Sequence, residues 1–296
     1  DNLSNGYHEN IGAFKTLSNF EFIEGDIRDY ETCLRAMDGI EYVSHQAALG
    51  SVPRSIKDPL LTNNVNIDGF LNVLNAVRES PGVIRMVYAA SSSTYGDSTV
   101  LPKVEGNEGK PLSPYAVTKA VNEMYAEVFS NVYGLHTIGL RYFNVFGPKQ
   151  NPNNPYAAVI PIFCKAFMDN VAPVINGDGE TSRDFTFVEN AVQANVRAFF
   201  LNDVNSHDVY NVACGDQITL NEVVQLLRDL TGKDIQAIYG PERKGDVRHS
   251  KASIDKIQKE LNYMPTFTFK DGLIAVYEYL NNLYKQDFIT SGTTHI

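Results

Sequence analysis

The sequence predicts an α/β protein built on a doubly wound parallel sheet. Short apolar runs rich in Val, Ile and Tyr alternate with longer segments of helical periodicity up to about residue 144, as strand–helix–strand units do. The central run, 83–90, ends in a cluster of hydroxyl side chains, where a parallel strand would give way to a loop. With 296 residues, 43% of them apolar, the chain can bury a substantial core.

The elements follow from these patterns in chain order. We predict strands at 20–25, 41–48, 83–90, 137–143 and 209–212, and helices at 29–38, 67–79, 114–132 and 220–231. The stretch 148–155, rich in Pro and Asn, indicates a switch between domains. We expect residues 1–147, with 185–213 returning to them, to form one domain, and residues 148–296 to form mainly a smaller lobe. The polar tail beyond about residue 285 is expected to be disordered.

Composition excludes several classes of protein. A net charge of −10 without a Lys/Arg stripe argues against nucleic acid or acidic lipid as a partner. No apolar run approaches the roughly 18–20 residues of a membrane span, and no basic-then-apolar signal segment opens the chain. The three cysteines, Cys33, Cys164 and Cys214, are scattered, which suggests neither a disulfide framework nor a zinc site. We therefore expect a cytoplasmic, metal-free protein.

One pair of residues carries the candidate chemistry. Tyr115 and Lys119 follow Ser113-Pro114, which opens a helix, and residues four apart share one helix face. A cation beside a tyrosine favours the phenolate, so we expect Lys119 to lower the Tyr115 pKa from about 10 towards neutrality. Such a tyrosine would be a usable general base.

Together with Ser91, this pair resembles the extended short-chain dehydrogenase/reductases that act on nucleotide sugars. The runs 141–148 (RYFNVFGP) and 177–189 strengthen the resemblance, which covers residues 1 to about 285. It is greatest to the UDP-hexose 4-epimerases of the N-acetylglucosamine type. It implies a Rossmann-like NAD-binding domain, a UDP-sugar-binding lobe, and a homodimer formed through helices 60–79 and 114–132.

The resemblance also implies a reaction. Tyr115 would take the proton from the sugar 4-hydroxyl, Ser91 would bind the same oxygen and relay the proton, and Lys119 would orient the cofactor ribose. Hydride would leave C4 for NAD and return to the other face of a 4-keto sugar. The expected reaction interconverts UDP-N-acetylglucosamine and UDP-N-acetylgalactosamine.

The resemblance assigns the binding residues by position. In the cofactor site, Asp1 and Asn2 would bind the adenosine ribose, Asp26 and Ile27 the adenine, and Asn64 the nicotinamide ribose. Gln46, Ala47 and Ala48 would lie close to the cofactor, Tyr115 and Lys119 would also contact it, and Tyr142 and Phe143 would line the nicotinamide.

For the substrate, the residues expected around the sugar are Ser51, Arg54, Ser92, Ser93, Gln150 and Ala158. Residues 156–160 would bind the uracil and sugar through their backbone. Asn144, Arg183 and Arg248 would face the diphosphate, with Asp184 holding the loop, and the small Ser250 would leave room for an N-acetyl group.

The sequence departs from the family at its front. The family's first strand and glycine-rich phosphate-binding turn, which would precede Asp1, are absent from it, and no glycine-rich phosphate loop occurs elsewhere in it. We therefore expect NAD binding to be compromised and stability to be poor in the chain as written.

Three alternatives stay open. Another epimerase substrate, such as UDP-glucose, UDP-glucuronate or an N-acetylhexosaminuronate, would need only one changed pocket side chain. Nucleotide-sugar 4,6-dehydratases and decarboxylases share the scaffold, but the dehydratases carry a carboxylate pair where this chain has Ser92 and Ser93. A non-catalytic nucleotide-sugar-binding protein is the third, against which the intact Ser91, Tyr115 and Lys119 argue.

Overall fold

The structure, a computed structural model, describes residues 1–153, 158–200, 206–242 and 248–292. The strands in these ranges are β1 (Tyr42–His45), β2 (Arg85–Ser91), β3 (Thr137–Tyr142), β4 (Val145–Phe146), β5 (Val174–Asn176), β6 (Ser182–Arg183), β7 (Thr186–Phe187), β8 (His207–Val212), β9 (Ile218–Thr219) and β10 (Ile238–Gly240).

The α-helices in the same ranges are α1 (His8–Ile11), α2 (Tyr30–Arg35), α3 (Val52–Lys57), α4 (Pro59–Asn63), α5 (Gly69–Arg78), α6 (Pro114–Tyr133), α7 (Val159–Met168), α8 (Val188–Phe200), α9 (Leu220–Thr231), α10 (Asp255–Leu261) and α11 (Phe269–Gly292). A π-helix spans Asn64–Asp68 and a 3₁₀-helix spans Ser92–Tyr95. Among the described helices, none combines the length and the apolar character needed to cross a membrane.

The central sheet is parallel and has the strand order β1–β2–β3–β8. Its register places His45 beside Tyr88 and Ser91 beside Tyr142. The carboxyl ends of these strands therefore meet at one edge, where open α/β sheets bind their ligands. The predicted α/β fold with a parallel, Rossmann-like sheet is confirmed.

Strand β2 is buried on both faces, as its continuous apolar run predicts. Met86 and Tyr88 pack with Phe70 of α5 on one face, and Val87 packs with Ala194 of α8 on the other. Gly139 of β3 lies against Tyr88, and a Cβ at Gly139 would come within 2.6 Å of the tyrosine oxygen. The absence of a side chain at position 139 therefore leaves room for the Tyr88 ring beside β3.

A separate apolar cluster is formed by later segments of the chain. It contains aromatic side chains from β4, α7, β7 and α11, namely Phe146, Phe163, Phe167, Phe187 and Phe269. Residues 182–187 connect this cluster to the sheet, because β7 pairs with β4, which follows β3.

Several predicted boundaries need correction. The predicted strand 20–25 is wrong, because these residues are not in a strand. Their contacts with Asp1, whose carbonyl accepts from Gly25 N at 3.1 Å and whose amino group donates to Ile23 O at 3.2 Å, form no ladder. The helix predicted at 29–38 ends at Arg35. The tail predicted to be disordered beyond residue 285 continues α11 to Gly292.

The helix predicted from residue 67 differs at its start. It follows α4 and the π-helix, in which the Asn66 side chain is buried. The Asn66 amide accepts from Leu49 N at 2.7 Å and donates to Leu49 O at 3.2 Å and Thr118 Oγ1 at 3.1 Å. These bonds tie the π-turn to the loop after β1 and to α6, which explains an irregular turn inside a helical segment.

Candidate active site

Ser91 and Tyr115 meet at the carboxyl edge of the sheet. Ser91 is the last residue of β2. Tyr115 lies in the first turn of α6, which begins at Pro114 and is capped by Ser113, whose Oγ accepts from Ala116 N at 3.1 Å. Hydrogen bonding by Ser91 lowers the pKa of Tyr115, against the rise that burial causes. The two predicted catalytic hydroxyls therefore belong to one site.

The Ser91 hydroxyl is directed by its neighbour Ser93. Ser91 Oγ accepts from Ser93 N at 3.1 Å and from Ser93 Oγ at 2.9 Å. A hydroxyl has two acceptor lone pairs and one donor hydrogen. With both lone pairs engaged, the hydrogen is available to Tyr115.

Lys119 fixes α6 against β2. Its side chain is 2% exposed, and its Nζ donates to Ala89 O at 2.6 Å. Ala89 precedes Ser91 by two residues on β2, so this bond sets the height of Tyr115 relative to Ser91. Burial lowers the Lys119 pKa to about 8, while Glu123, one turn further along α6, raises it.

The predicted lowering of the Tyr115 pKa by Lys119 is not seen among the side chains of the structure. Burial raises the Tyr115 pKa, and the hydrogen bond from Ser91 opposes that rise. The Lys119 ammonium is instead directed at the Ala89 carbonyl. Ser91, and not Lys119, is the side chain that favours the Tyr115 phenolate here.

A cavity of about 750 Å³ lies beside the carboxyl end of β1. Seven predicted cofactor residues line it: Asp1, Asn2, Asp26, Ile27, Gln46, Ala47 and Ala48. Its volume lies in the range of roughly 300–1,000 Å³ usual for ligand sites. The alanines permit close approach, and Asn2 and Asp26 supply polar groups joined by a 2.7 Å hydrogen bond. These residues fit the adenosine part of NAD.

Two predicted cofactor residues are placed differently. Asn64 begins the π-helix, is exposed, and donates to Asp68 Oδ2 at 3.0 Å. Tyr142 ends β3, where its hydroxyl donates to Gln46 Oε1 at 3.1 Å and accepts from Asn195 Nδ2 at 2.8 Å. Gln46 Nε2 closes the ring by donating to Asn195 Oδ1 at 3.1 Å.

Sequence reasoning missed Asn195 and Arg28. Asn195 lies 149 residues from Gln46, so no local pattern could have joined them. Arg28, which pairs with Asp26, lies only two residues further along the chain. The alternating signs of Asp26 and Arg28 in the turn were a signal that could have been read.

The predicted sugar residues lie on three loops. Ser51 caps α3, its Oγ accepting from Arg54 N at 3.2 Å, and Arg54 Nη2 donates to Asn5 Oδ1 at 3.2 Å. Ser92 and Ser93 form the first turn after Ser91. The Gln150 amide bonds to the backbone of its own turn, at Val145 O (3.2 Å) and Gly147 N (3.4 Å).

The two predicted diphosphate arginines are neighbours. Arg183 Nη1 donates to Ser182 O at 2.9 Å and to Arg248 O at 3.4 Å. Arg248 forms ion pairs with Asp178 at 2.5 Å and Glu242 at 3.3 Å, and its side chain is half exposed. Ser250 N donates to Ser182 O at 3.1 Å, which places Ser250 beside the same strand.

Asp184 joins the segments that carry these residues. Its carboxylate is fully buried and accepts from Cys214 N at 3.0 Å and from Gly215 N and Ala252 N at 3.1 Å each. Its carbonyl accepts from Asn144 Nδ2 at 3.3 Å. Burial raises the Asp184 pKa to about 6, against the effect of these donors.

Some predictions fall outside the described residues. Tyr156 and the start of the 245–250 motif lie in the ranges 154–157 and 243–247. Ala158 is described and caps the amino end of α7 with extended backbone.

Comparison with known proteins gives consistent results. Residues 1–213 match the model of the NAD dependent epimerase/dehydratase family. A putative UDP-glucose 4-epimerase of Methanocaldococcus jannaschii is 33% identical over 95% of this chain and 89% of its own.

Two solved structures are similar to the whole fold. One is a UDP-N-acetylglucosamine 4-epimerase from Methanobrevibacter ruminantium in complex with UDP-N-acetylmuramic acid (38% identity, TM-score 0.90, 96% of this chain and 89% of that one). The other is a UDP-glucose 4-epimerase from Thermotoga maritima with UDP-glucose (35% identity, TM-score 0.89, 96% and 90%). The chain belongs to the NAD dependent epimerase/dehydratase family.

Proposed function

We propose that the protein is a UDP-sugar 4-epimerase that interconverts UDP-N-acetylglucosamine and UDP-N-acetylgalactosamine. The observation that carries the proposal is the placement of Ser91 at the end of β2 and of Tyr115 in the first turn of α6, with Lys119 bonding α6 to β2. The 38% identity to the M. ruminantium UDP-N-acetylglucosamine 4-epimerase supports the choice of sugar.

Tyr115 acts as the general base on the sugar 4-hydroxyl. Because burial raises its pKa, the protein keeps Tyr115 neutral at rest, and the donor hydrogen of Ser91 stabilises the phenolate as it forms. NAD, when bound, supplies hydride acceptance from C4 and hydride return to it, and its oxidised ring carries a positive charge that favours the phenolate. When the sugar binds, its 4-hydroxyl replaces Ser93 Oγ as a donor to Ser91 Oγ, so that Ser91 accepts the sugar proton and passes its own hydrogen to Tyr115.

The diphosphate arginines hold the nucleotide while the sugar turns. Arg183 and Arg248 offer guanidinium forks that match phosphate oxygens. To bind phosphate, Arg248 gives up its ion pairs with Asp178 and Glu242. These ion pairs are exposed and therefore weak. A 4-keto hexose fixed only through its diphosphate can present either face for hydride return.

The 3₁₀-turn after Ser91 favours epimerisation over dehydration. Loss of water from C5–C6 needs an acid and a base, and this turn carries the hydroxyls Ser92 and Ser93. These hydroxyls can bind a sugar but cannot supply the carboxylate pair.

UDP-glucose is a second candidate substrate. The M. jannaschii and T. maritima relatives, whose names specify UDP-glucose, are 33% and 35% identical to this chain. Ser250 is the feature that favours the N-acetyl sugar, because a small side chain there leaves space beside the hexose.

The test is to incubate the protein with NAD and either UDP-N-acetylglucosamine or UDP-glucose, and to follow the sugar protons by NMR. We expect UDP-N-acetylgalactosamine without added reductant, formed at least about tenfold faster than UDP-galactose. Faster turnover of UDP-glucose would favour the second candidate. A new methyl doublet would identify a 6-deoxy-4-keto product and a dehydratase.

We also propose that the protein is a homodimer. Apolar side chains at positions 117, 124, 128 and 132 share one face of α6 and are exposed; Met124 is 63% and Val132 64% exposed. Ile56 of α3 and Leu60 of α4 extend this surface, since both helices pack beside α6. An apolar surface of this kind indicates a protein contact.

A further inference from the structure

Arg28 surrounds the carboxylate that is predicted to bind adenine. Its backbone N donates to Asp26 Oδ1 at 2.9 Å, its Nε to the same oxygen at 3.0 Å, and its Nη2 to Oδ2 at 2.7 Å. Asn2 Nδ2 donates to Oδ2 at 2.7 Å. Each carboxylate oxygen is therefore held by two donors, and the carboxylate plane cannot rotate without breaking the guanidinium fork.

The turn that carries this pair is itself fixed. Asn72 Nδ2 donates to the carbonyls of Ile27 and Arg28 at 3.0 Å each, and the Ile27 side chain packs on Gly69 so closely that a Cβ there would lie 2.6 Å from it. The backbone of the turn is thus held against α5. What remains to be set is the direction of the Asp26 carboxylate, and Arg28 sets it.

Arg28 also connects two parts of the site. Its Nη1 donates to Asn64 Oδ1 at 3.3 Å, and Asn64 belongs to the π-helix. The same guanidinium holds the pKa of Asp26 well below its usual range. Asp26 is therefore charged at every pH at which the enzyme would work, and it faces the cavity described above.

We propose that Arg28 is a positioning residue of the cofactor site, whose guanidinium fork holds Asp26 in the orientation from which it accepts the 6-amino group of adenine. This role rests on the proposed NAD site. The amino group takes the site on Asp26 Oδ2 that Asn2 Nδ2 occupies, and it leaves the three bonds from Arg28 in place. Selectivity for adenine then depends on Arg28 as well as on Asp26.

The test compares NAD with nicotinamide hypoxanthine dinucleotide, in which an oxygen replaces the adenine amino group. A charge-assisted hydrogen bond contributes about 1.5–3 kcal/mol, so the unaltered protein should bind NAD at least about tenfold more tightly. Arg28→Met should reduce that ratio to about twofold or less, measured by calorimetry. Arg28→Lys, which keeps the charge but not the fork, should give an intermediate ratio.

The controls separate positioning from loss of fold. Arg35→Met alters an exposed arginine of α2 whose Nη2 donates to Thr32 Oγ1 at 3.3 Å, and it should leave the ratio unchanged. Because the ratio compares two ligands on one variant, a loosened fold would weaken both equally. The double variant Asp26→Asn with Arg28→Met should give the same ratio of the two dinucleotide affinities as Asp26→Asn alone, since both changes remove the same interaction.

The outcomes are distinct. An unchanged ratio in Arg28→Met would overturn the positioning role. A larger ratio would also overturn it, because it would mean that Arg28 competes with adenine for Asp26. If the unaltered protein bound neither dinucleotide, the proposed cofactor site itself would fail, and this role with it.

Discussion

Ser93 occupies the acceptor lone pairs of Ser91 Oγ, which leaves the Ser91 hydrogen available to Tyr115, and hydrogen bonding by Ser91 lowers the pKa of Tyr115. Burial raises the pKa of Tyr115, and among the side chains that the structure describes Ser91 is the one that lowers it. In the Ser-rich run at the end of β2, Ser93 therefore orients the Ser91 hydroxyl, and Ser91 favours the phenolate form of Tyr115.

Replacing Ser91 by Ala should both slow the enzyme and change its pH dependence. We expect kcat to fall by about 10²-fold, within the usual range for a proton-transfer group. Because the Ser91 bond lowers the Tyr115 pKa, its loss should move the rising limb of the kcat/KM profile to higher pH. Ser91→Thr, which keeps a hydroxyl, should retain the original limb. A slower Ser91→Ala enzyme with an unshifted profile would assign Ser91 to sugar binding only.

Burial of the charged Lys119 side chain should lower the stability of the fold at neutral pH. Its pKa is lowered by burial to about 8, so between pH 8 and about 10.5 the unfolded chain binds a proton that the folded chain does not. Stability therefore rises with pH across this window, by up to roughly 3 kcal/mol, and below pH 8 the full cost applies.

Lys119→Met tests this directly. The variant should be inactive yet more stable than the unaltered protein at pH 7, with the difference in unfolding free energy shrinking as pH rises from 8 to 10.5. Urea unfolding at several pH values measures it. A variant less stable at pH 7 would mean that the bond to Ala89 O outweighs the cost of burying the charge.

Asp184 joins the segment that follows β8 of the central sheet to the segments that carry the predicted substrate-binding residues. One buried carboxylate accepts backbone N–H groups from the segment after β8 and from the segment at 252. These are the segments next to Arg183, Arg248 and Ser250. The geometry of the proposed diphosphate site therefore depends on Asp184, a residue that need not touch the substrate.

Asp184→Asn should weaken UDP binding more than NAD binding. An amide presents N–H groups to backbone donors on one side, which leaves buried donors unpaired at a cost of about 1–3 kcal/mol. We expect the Kd for UDP to rise about tenfold and the Kd for NAD to change less than twofold, by calorimetry. Asp216→Asn, an exposed neighbour, is the control. Equal losses for both ligands would indicate general unfolding and contradict the positioning role.

Element prediction succeeded where local pattern decides. The runs of β2, β3 and β8 and the capped start of α6 were located because burial, apolar content and cap chemistry are local. The strand predicted at 20–25 failed because a strand also requires a partner strand. Within the described part of the chain, the backbone of these residues bonds one distant residue, Asp1. The π-helix was not predictable, since Asn66 obtains its partners from Leu49 and Thr118.

The exposed face of α3, α4 and α6 is an apolar surface that packing within one subunit does not cover. Leu60 is 82% exposed, although it lies beside buried neighbours of the same helix pair. A second copy that presented the same face would bury both surfaces about a twofold axis.

Charges on this face should separate the subunits. We expect the protein to be a dimer by light scattering at micromolar concentration, and the double variant Met124→Glu with Val128→Glu to be a monomer. Val174→Glu, an exposed apolar position on β5, should leave the dimer intact. A monomeric unaltered protein would refute this interface.

In the candidate active site too, local sequence motifs were predictable and contacts between distant segments were not. Tyr115 and Lys119 were predicted because they lie four residues apart at the start of one helix, and Ser91 because it opens the hydroxyl cluster at the end of the preceding strand. The cavity brings seven assigned cofactor residues together. The rise of the Tyr115 pKa was not predicted, because burial and the direction of the Lys119 side chain depend on where β2 lies against α6. The Tyr142–Gln46–Asn195 ring joins three distant segments, which no single motif could reveal.

The most direct test of the central claim uses UDP-N-acetylglucosamine carrying deuterium at C4. If the protein removes hydride from C4 and returns the same hydride to the opposite face, the UDP-N-acetylgalactosamine formed in ordinary water should retain the label at C4 completely by NMR. Epimer that had lost deuterium to solvent would contradict hydride return at C4. Failure to form any epimer from UDP-N-acetylglucosamine, with NAD bound, would contradict the proposed function itself.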